Sequence, residues 1–304
     1  VEHVSYDFSE TGVDGSIVLE RAMRESELKL FIKVPATNTS SITSLNKTVL
    51  YIPSKNIAIE FNGIYWHSDK NKHINYHISK FNECKENNIQ LITIWEDQYI
   101  NSTEIVESII LSKIGVYENI IYGRHCNIEL VSSDTASDFY DKNHIQGKCG
   151  AKYHYALKYN NDIVAMMSFG KRSLGKSSDN WELIRYCSKL NTCIIGGSSK
   201  LFNRFINEHK PSQLISWSSN DISNGKLYKT LNFECCNESS SYWYISPKTL
   251  KRYHRSGFSK SNLIKKGIVN KDDCRTEKQI MDDLGYFRIY DSGQTKWIWK
   301  NTYQ

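Results

Sequence analysis

The chain has 304 residues, enough for two ordinary domains and a small appendage. Hydrophobic residues at 39% and aromatic residues at 12% exclude a disordered chain. No apolar run approaches the roughly 18 residues of a membrane span, and no signal-peptide pattern opens the sequence. The formal charge of +6 is unevenly placed: from Lys248 onward there are 13 Lys/Arg against 6 Asp/Glu, whereas the preceding residues hold 26 against 27. Between Lys248 and Lys271 eight basic residues stand with no acid among them. Eight cysteines, none in a C-x-x-C pair, are scattered as buried thiols would be. That pattern gives no support to a zinc ribbon and points to a reducing, cytoplasmic compartment.

In chain order, residues 15–33 carry Ile17, Leu19, Met23, Leu28, Phe31 and Ile32 at helical spacing, which predicts an amphipathic helix. A polar stretch over 37–48 follows. Val49–Pro53 and Ile57–Phe61 predict two short strands around a Ser54–Asn56 turn. Tyr76–Asn87 predicts a helix, Leu91–Trp95 a buried strand and Glu104–Ile114 another helix, together a compact α/β module. The second module opens near Ile120. It has a helix over 134–143 and strands Tyr153–Tyr159 and Asp162–Gly170 paired across Asn160–Asn161, and Glu182–Tyr186 extends the sheet. Gly196–Gly197 opens a helix over Ser199–Glu208; a strand at Leu214–Ser218, a short helix at Gly225–Leu231 and a strand at Ser241–Ile245 follow. Tyr286–Trp299 reads as a small hairpin across Asp291–Gly293.

The densest chemical constellation runs from Ile59 to Asp69, through Glu60, Asn62, Gly63, Trp66 and His67, with His73 and His77 close behind. Glu60 ends an apolar strand, where a carboxylate is expected only at an edge or in a cleft. Carboxylates beside an imidazole are what a divalent-metal phosphodiesterase requires. Oxygen ligands hold Mg²⁺, and a histidine or a metal-bound water activates the nucleophile. His73 and His77, four apart, would share one helix face, where they could hold a metal or simply face solvent. The plainer reading of the whole segment is a strand-to-loop corner packed by Tyr65 and Trp66.

This segment resembles the hallmark of the very-short-patch-repair (Vsr)-like endonucleases, in which a strand runs into N-G-x-Y-W-H. It resembles more closely the phage homing-endonuclease-like proteins that join this module to a longer carboxyl half. The similarity continues through Tyr76, His77, Lys80 and Cys84 and into Ile89–Asp97. It implies a restriction-endonuclease-like (PD-(D/E)xK) mixed-sheet domain that hydrolyses duplex DNA with Mg²⁺. The residues it implies for catalysis are Glu27 on the first helix, Glu60, Asn62 where the Vsr enzymes carry another histidine, and His67 as base or positioning group. It leaves Glu60 and Asp69 as the metal ligands. One departure stands out. The family's metal-binding Asp lies in a stretch like D-I-Y-I-P, and here Val49 opens Val49-Leu50-Tyr51-Ile52-Pro53, with Lys47 two positions earlier. Valine cannot ligate a metal, so the first alternative is a descendant that binds DNA, or serves as an assembly subunit, without cutting.

Residues 120–246 resemble the carboxyl half of the same phage proteins, which is similar to a GNAT-type acyltransferase fold. The matching stretches are Asn143–Gly147, Ala165–Lys171, Glu182–Cys187, Gly196–Leu201 and Asn224–Tyr228. A Gly196–Gly197 turn into a helix could offer amides to a pyrophosphate, as an acyl-CoA site requires, or could simply cap the helix. Acyl transfer is therefore the second alternative.

The expected architecture is a Vsr-like domain over 1–118, a GNAT-like α+β domain over 119–247 and a small basic segment over 248–304. Double-stranded DNA is the expected partner. Its expected contacts are Lys171, Arg172 and Arg185 in the second module, then Lys248, Lys251, Arg252, Arg255, Lys260, Lys265 and Lys266 in the tail, interleaved with Tyr253, His254 and Phe258.

Overall fold

The computed structural model describes residues 49–171, 180–240, 242–249 and 251–301, and within them the chain is a mixed α/β protein. The helix over 15–33 with Glu27, together with Lys47 and Arg172, lies outside the described residues. The chain divides into two compact units, each discontinuous in sequence: Val1–Asp97 with Ser240–Ser292, and Gln98–Ser239 with Gly293–Gln304.

Unit 1 is built on a three-stranded sheet in the order β1 (Val49–Ile52), β2 (Ile57–Asn62), β3 (Gln90–Trp95), with β1 antiparallel and β3 parallel to β2. The predicted hairpin holds. A 3-10 turn starting at Pro53 ends on Asn56 at φ 51°, a left-handed conformation that asparagine tolerates. Helix α1 (Tyr76–Glu86) is the crossover that the parallel β2–β3 pair demands, and it buries His77, Lys80 and Cys84. Ala58, Cys84, Ile89 and Leu91 form one apolar cluster.

Unit 2 is a seven-stranded sheet in the order β11 (Glu234–Ser239), β15 (Gln294–Lys300), β10 (Gln213–Ser219), β8 (Asn180–Ser188), β7 (Asp162–Lys171), β6 (Tyr153–Tyr159), β5 (Asn127–Leu130). Every neighbouring pair is antiparallel except β8 and β10. The predicted turn between β6 and β7 falls on Asn160 and Asn161, at φ 50° and 68°. The helix expected at 104–114 is α2 (Thr103–Ile114). Helix α3 (Ser133–Asn143) covers one face of the sheet over Ala156 and Met166. The opposite face carries α4 (Gly197–His209), whose Leu201, Phe202 and Phe205 pack with Leu183, Leu214, Trp297 and Trp299 of the sheet. The short helix expected after Gly225 is α5 (Lys226–Thr230). Strand β4 (Asn119–Tyr122) pairs in parallel with β9 (Thr192–Ile195).

The second part of unit 1 has three antiparallel strands in the order β13 (Arg252–His254), β12 (Tyr242–Ile245), β14 (Phe287–Tyr290), with short helices α6 (Lys260–Lys265) and α7 (Glu277–Asp283). Helix α7 opens with a full capping box between Thr276 and Gln279. Ile245, Phe287 and Ile289 pack with Ile64 and Trp95, which binds this part to the first sheet within one unit.

Two expectations about the carboxyl end are corrected. Tyr286–Trp299 is not a hairpin: β14 pairs with β12 in unit 1, whereas β15 is inserted between β10 and β11 in unit 2. The reason is in the burial. Phe287 and Ile289 are buried in unit 1, and the alternation Thr295, Trp297, Trp299 supplies three buried residues to the other sheet. Residues 248–304 therefore form no unit of their own; they divide between the two, and the boundaries at 118 and 247 are not those of the contacts.

Candidate functional site

Strand β2 carries the predicted corner. Glu60 and Asn62 are buried near its end, and the chain then turns through Gly63 into the Tyr65–Ser68 loop. From α1, Lys80 Nζ donates to Glu60 Oε1 at 2.7 Å, with both side chains almost fully buried. Asn62, with its amide nitrogen turned toward the available acceptors, donates to Glu60 Oε1 at 3.2 Å and to His67 Nε2 at 3.2 Å. His67 Nδ1 lies 3.3 Å from His77 Nε2. Lys80, Glu60, Asn62, His67 and His77 thus form one hydrogen-bonded chain reaching from the helix to the loop. The sequence pattern assigned no role of its own to Lys80.

The chain fixes its own tautomers. His67 Nε2 accepts from Asn62, so His67 carries its proton on Nδ1 and donates to His77 Nε2; His77 in turn holds its proton on Nδ1. Burial, with the Lys72 and Lys80 charges, pushes the His67 imidazole down to about 4. Burial, then the neighbouring His67, pushes His77 down to about 3. Both rings are neutral at neutral pH. Both nitrogens of His67 are engaged within the chain.

Three buried polar atoms at this corner lack a hydrogen-bond partner among the described residues: Glu60 Oε2, His77 Nδ1 and Thr93 Oγ1. Thr93 is the register partner of Glu60 on β3, and Val49 is its partner on β1. The valine that departs from the family motif is therefore beside Glu60 in space as well. Asp69 is engaged elsewhere. Its carboxylate accepts the Arg288 backbone amide at 2.9 Å and pairs with the Arg288 guanidinium at 2.7 Å, while Asp69 N donates to Arg288 O at 2.7 Å. It clips the loop to β14 instead of joining Glu60. His73 precedes α1 and is exposed, so no helical His73–His77 pair exists. Among the described residues no group of three His, Cys, Asp or Glu comes together to hold a metal ion.

Around this corner the surface is aromatic and cationic. Trp66 is 61%, Phe61 51% and Tyr65 45% exposed. Lys70 stands over Phe287 at 5.2 Å and Lys72 over Tyr76 at 4.5 Å.

The expected DNA contacts separate by environment. The Arg252 side chain is buried, paired with Asp97 at 2.8 Å and flanked by Trp95 and Trp243 at 5.0 and 5.3 Å, so it holds unit 1 together. Lys260 donates to the carbonyls of Asp273 and Arg275, and Lys266 to that of Gly257 at 3.0 Å. Arg185 donates to Gly147 O and to Gln146 Oε1 and lies over Tyr140. Lys248, Lys251, Arg255 and Lys265 are exposed, as is Lys171, which stands 4.8 Å from the Trp181 ring centre.

In unit 2 the parallel pair of the sheet is a fork. Strands β8 and β10 are in register only over Asn180–Glu182 and Gln213–Ile215. Beyond that point side-chain hydroxyls, rather than the backbone amides of the facing strand, donate to the carbonyls. Ser216 Oγ donates to Leu183 O at 2.6 Å, and the Tyr228 hydroxyl donates to Trp217 O at 3.1 Å. At the amino end of α4 the Gly123 backbone lies against Gly197, Lys200 Nζ donates to the carbonyls of Gly123 and Cys126, and Gly196 is exposed. Gly196 stands at the N-cap position in a left-handed conformation, with no side-chain cap hydrogen bond.

No family model and no curated protein matches the sequence. Among solved structures, the chain is similar to a GNAT family acetyltransferase from Elizabethkingia anophelis with acetyl-CoA bound, at 13% identity and a TM-score of 0.31, covering 58% of this chain and 99% of that one. It is also similar to a Bacillus subtilis acetyltransferase in complex with CoA, at 11% identity, TM-score 0.33 and coverage of 58% and 99%. A third is a putative acetyltransferase from Salmonella typhimurium with acetyl-CoA, at 12% identity, TM-score 0.34 and coverage of 59% and 96%.

Proposed function

We propose that this is a DNA-binding protein of nuclease descent, with unit 1 contacting the phosphate backbone at the corner around His67. The observation that carries this reading is the pairing of a buried Lys80–Glu60–Asn62–His67–His77 chain with a rim of exposed aromatics and lysines above it. Buried polar networks are costly unless completed, and they concentrate at functional sites. Exposed tryptophan and tyrosine beside lysines match what a nucleic acid offers, stacking faces and phosphates.

The same corner does not, from the described residues alone, fit Mg²⁺. One carboxylate oxygen of Glu60 and the Thr93 hydroxyl are far short of an octahedral oxygen shell, and the register position opposite Glu60 is a valine. Cleavage would call on Glu27, which lies outside the described residues. Binding without efficient cleavage is accordingly the activity proposed. Fluorescence anisotropy with a labelled duplex, followed across a salt series, tests it. Binding that weakens steeply with salt and is reduced in Trp66→Ala supports it, and no binding at low salt overturns it. Plasmid nicking with Mg²⁺ that is lost in Glu60→Gln would restore the full nuclease reading.

A second reading, acyl transfer in unit 2, is favoured by one observation, the forked β8–β10 pair. Such a fork leaves a gap into which an extended acyl carrier could insert. Calorimetric titration with acetyl-CoA tests this reading: saturable binding supports it and its absence ends it.

A further inference from the structure

The fork opens onto a cavity of about 310 Å³ lined by Gln146, Glu182, Ile184, Trp217, Ser219, Ser239 and Gln294, all within unit 2. It lies on the sheet face opposite α4. Ser216 and Ser218, the neighbours of Trp217, point to the α4 side, where Ser218 Oγ accepts from Trp297 Nε1 at 2.9 Å. The alternation along β10 therefore turns Trp217 and Ser219 the other way.

The lining is built. Ser219, Gln294 and Ser239 stand side by side in the ladder across β10, β15 and β11, a row of hydroxyl, amide and hydroxyl. Gln146 is oriented from outside: Arg185 Nη2 donates to its Oε1 at 3.0 Å, which leaves the amide nitrogen as the donor for a ligand. Glu182 brings a carboxylate, an acceptor with several lone pairs, and Trp217 brings a half-buried indole face. Among the described residues no lysine or arginine lines the cavity. The indole face, the carboxylate and the amide suit a planar group that both accepts and donates hydrogen bonds.

We propose that this cavity takes an unstacked nucleobase carrying an exocyclic amine, adenine or cytosine, with Trp217 as its stacking platform. Glu182 accepts from the exocyclic amine, the Gln146 amide donates to the adjacent ring nitrogen, and the Ser219–Gln294–Ser239 row meets the sugar edge. A carboxylate accepting from a base amine and an amide donating to a ring nitrogen are the pairings that distinguish adenine and cytosine from thymine and uracil. Stacking on an accessible aromatic is how unpaired bases are held on open sheet faces. The assignment rests on the nucleic-acid reading for its source of base, but it concerns a different site from the His67 corner.

Calorimetry on the full chain with adenosine, cytidine, thymidine and acetyl-CoA tests it, because free nucleosides need no contact with unit 1. Adenosine or cytidine is expected to bind saturably and thymidine at least tenfold more weakly. Trp217→Ala is expected to abolish the binding and Trp217→Phe to restore part of it. Glu182→Gln should weaken the amine-bearing base about tenfold while leaving thymidine unchanged. Matching unfolding midpoints among the variants separate loss of binding from loss of fold. Absence of saturable binding by any nucleoside, equal binding of thymidine, or acetyl-CoA binding that adenosine cannot displace would each overturn the assignment. Nucleoside binding in a chain that ignores duplex DNA would keep this site and remove the reading for unit 1.

Discussion

Lys80 and Glu60 meet at 2.7 Å with both side chains buried, so the one carboxylate at the head of the predicted nuclease motif is tied to a lysine from the crossover helix. Such a pair is held by mutual attraction against a large cost of desolvation. Removing only the lysine leaves a buried, uncompensated carboxylate. Lys80→Met is therefore expected to destabilise unit 1 by about 3–5 kcal/mol, and Glu60→Gln with Lys80→Met by clearly less. Chemical denaturation of the two variants beside the parent checks this. Equal destabilisation in the single and double variants would show that the pair is not the source of the stability.

The two coupled histidines set a direction for the pH dependence. Their folded values, about 4 for His67 and about 3 for His77, lie below the ordinary imidazole value of 6.5. A depressed imidazole means that the unfolded chain binds more protons than the folded one between those limits. Stability is therefore fully present above about pH 6.5 and is lost progressively as pH falls toward 4 and then 3. In His77→Gln the fall in unfolding free energy between pH 6.5 and 4 should be visibly shallower than in the parent. An unchanged slope would place the titration elsewhere.

How much of this was legible in the sequence depends on the range of the interaction. The Asn160–Asn161 turn, the turn over Ser54–Asn56 and the burial of Leu91–Trp95 follow from local conformational preferences and apolar runs, and those expectations hold, the second with its start one residue earlier at Pro53. The corner at Glu60, Asn62 and His67 was visible as a motif because its residues are close together in the chain. The partners that complete it were not. Asp69 is spoken for by Arg288, 219 residues on, and nothing in the local pattern of either residue announces it. The basic run from Lys248 reads as one DNA-contacting surface, yet Arg252 is consumed by Asp97 and two indoles. Strand β15 carries a clear alternation, but alternation states only that a strand has a buried face, not which sheet receives it.

Gly225 meets a local requirement with a long-range cause. Its φ is 75°, and a Cβ there would meet the ring of Trp297, a residue of the returning strand β15, at 2.4 Å. Trp297 is itself stacked on Tyr228, with ring centres 5.0 Å apart. Gly225→Ala carries both the backbone penalty and the overlap, so a loss of at least about 2 kcal/mol is expected. Near-ultraviolet circular dichroism should show a changed tryptophan environment, and a thermal scan an earlier unfolding of unit 2. A variant that melts with the parent would mean that β15 shifts without cost.

The basic segment divides by chemistry. Lys248, Lys251, Arg255 and Lys265 are exposed, whereas Arg252 has a carboxylate partner inside unit 1. Replacing the four exposed cations with glutamine should lower duplex affinity. The slope of log affinity against log salt should fall by close to one for each phosphate no longer neutralised, with little change in unfolding midpoint. Arg252→Met should do the reverse, lowering the midpoint by removing the buried ion pair with Asp97 while leaving the salt slope where it was. Anisotropy across a salt series, paired with denaturation of the same preparations, reads both quantities. If the fourfold variant keeps the parent's slope, the terminal segment is not where the backbone is held, and the cations around His67 become the principal anchor.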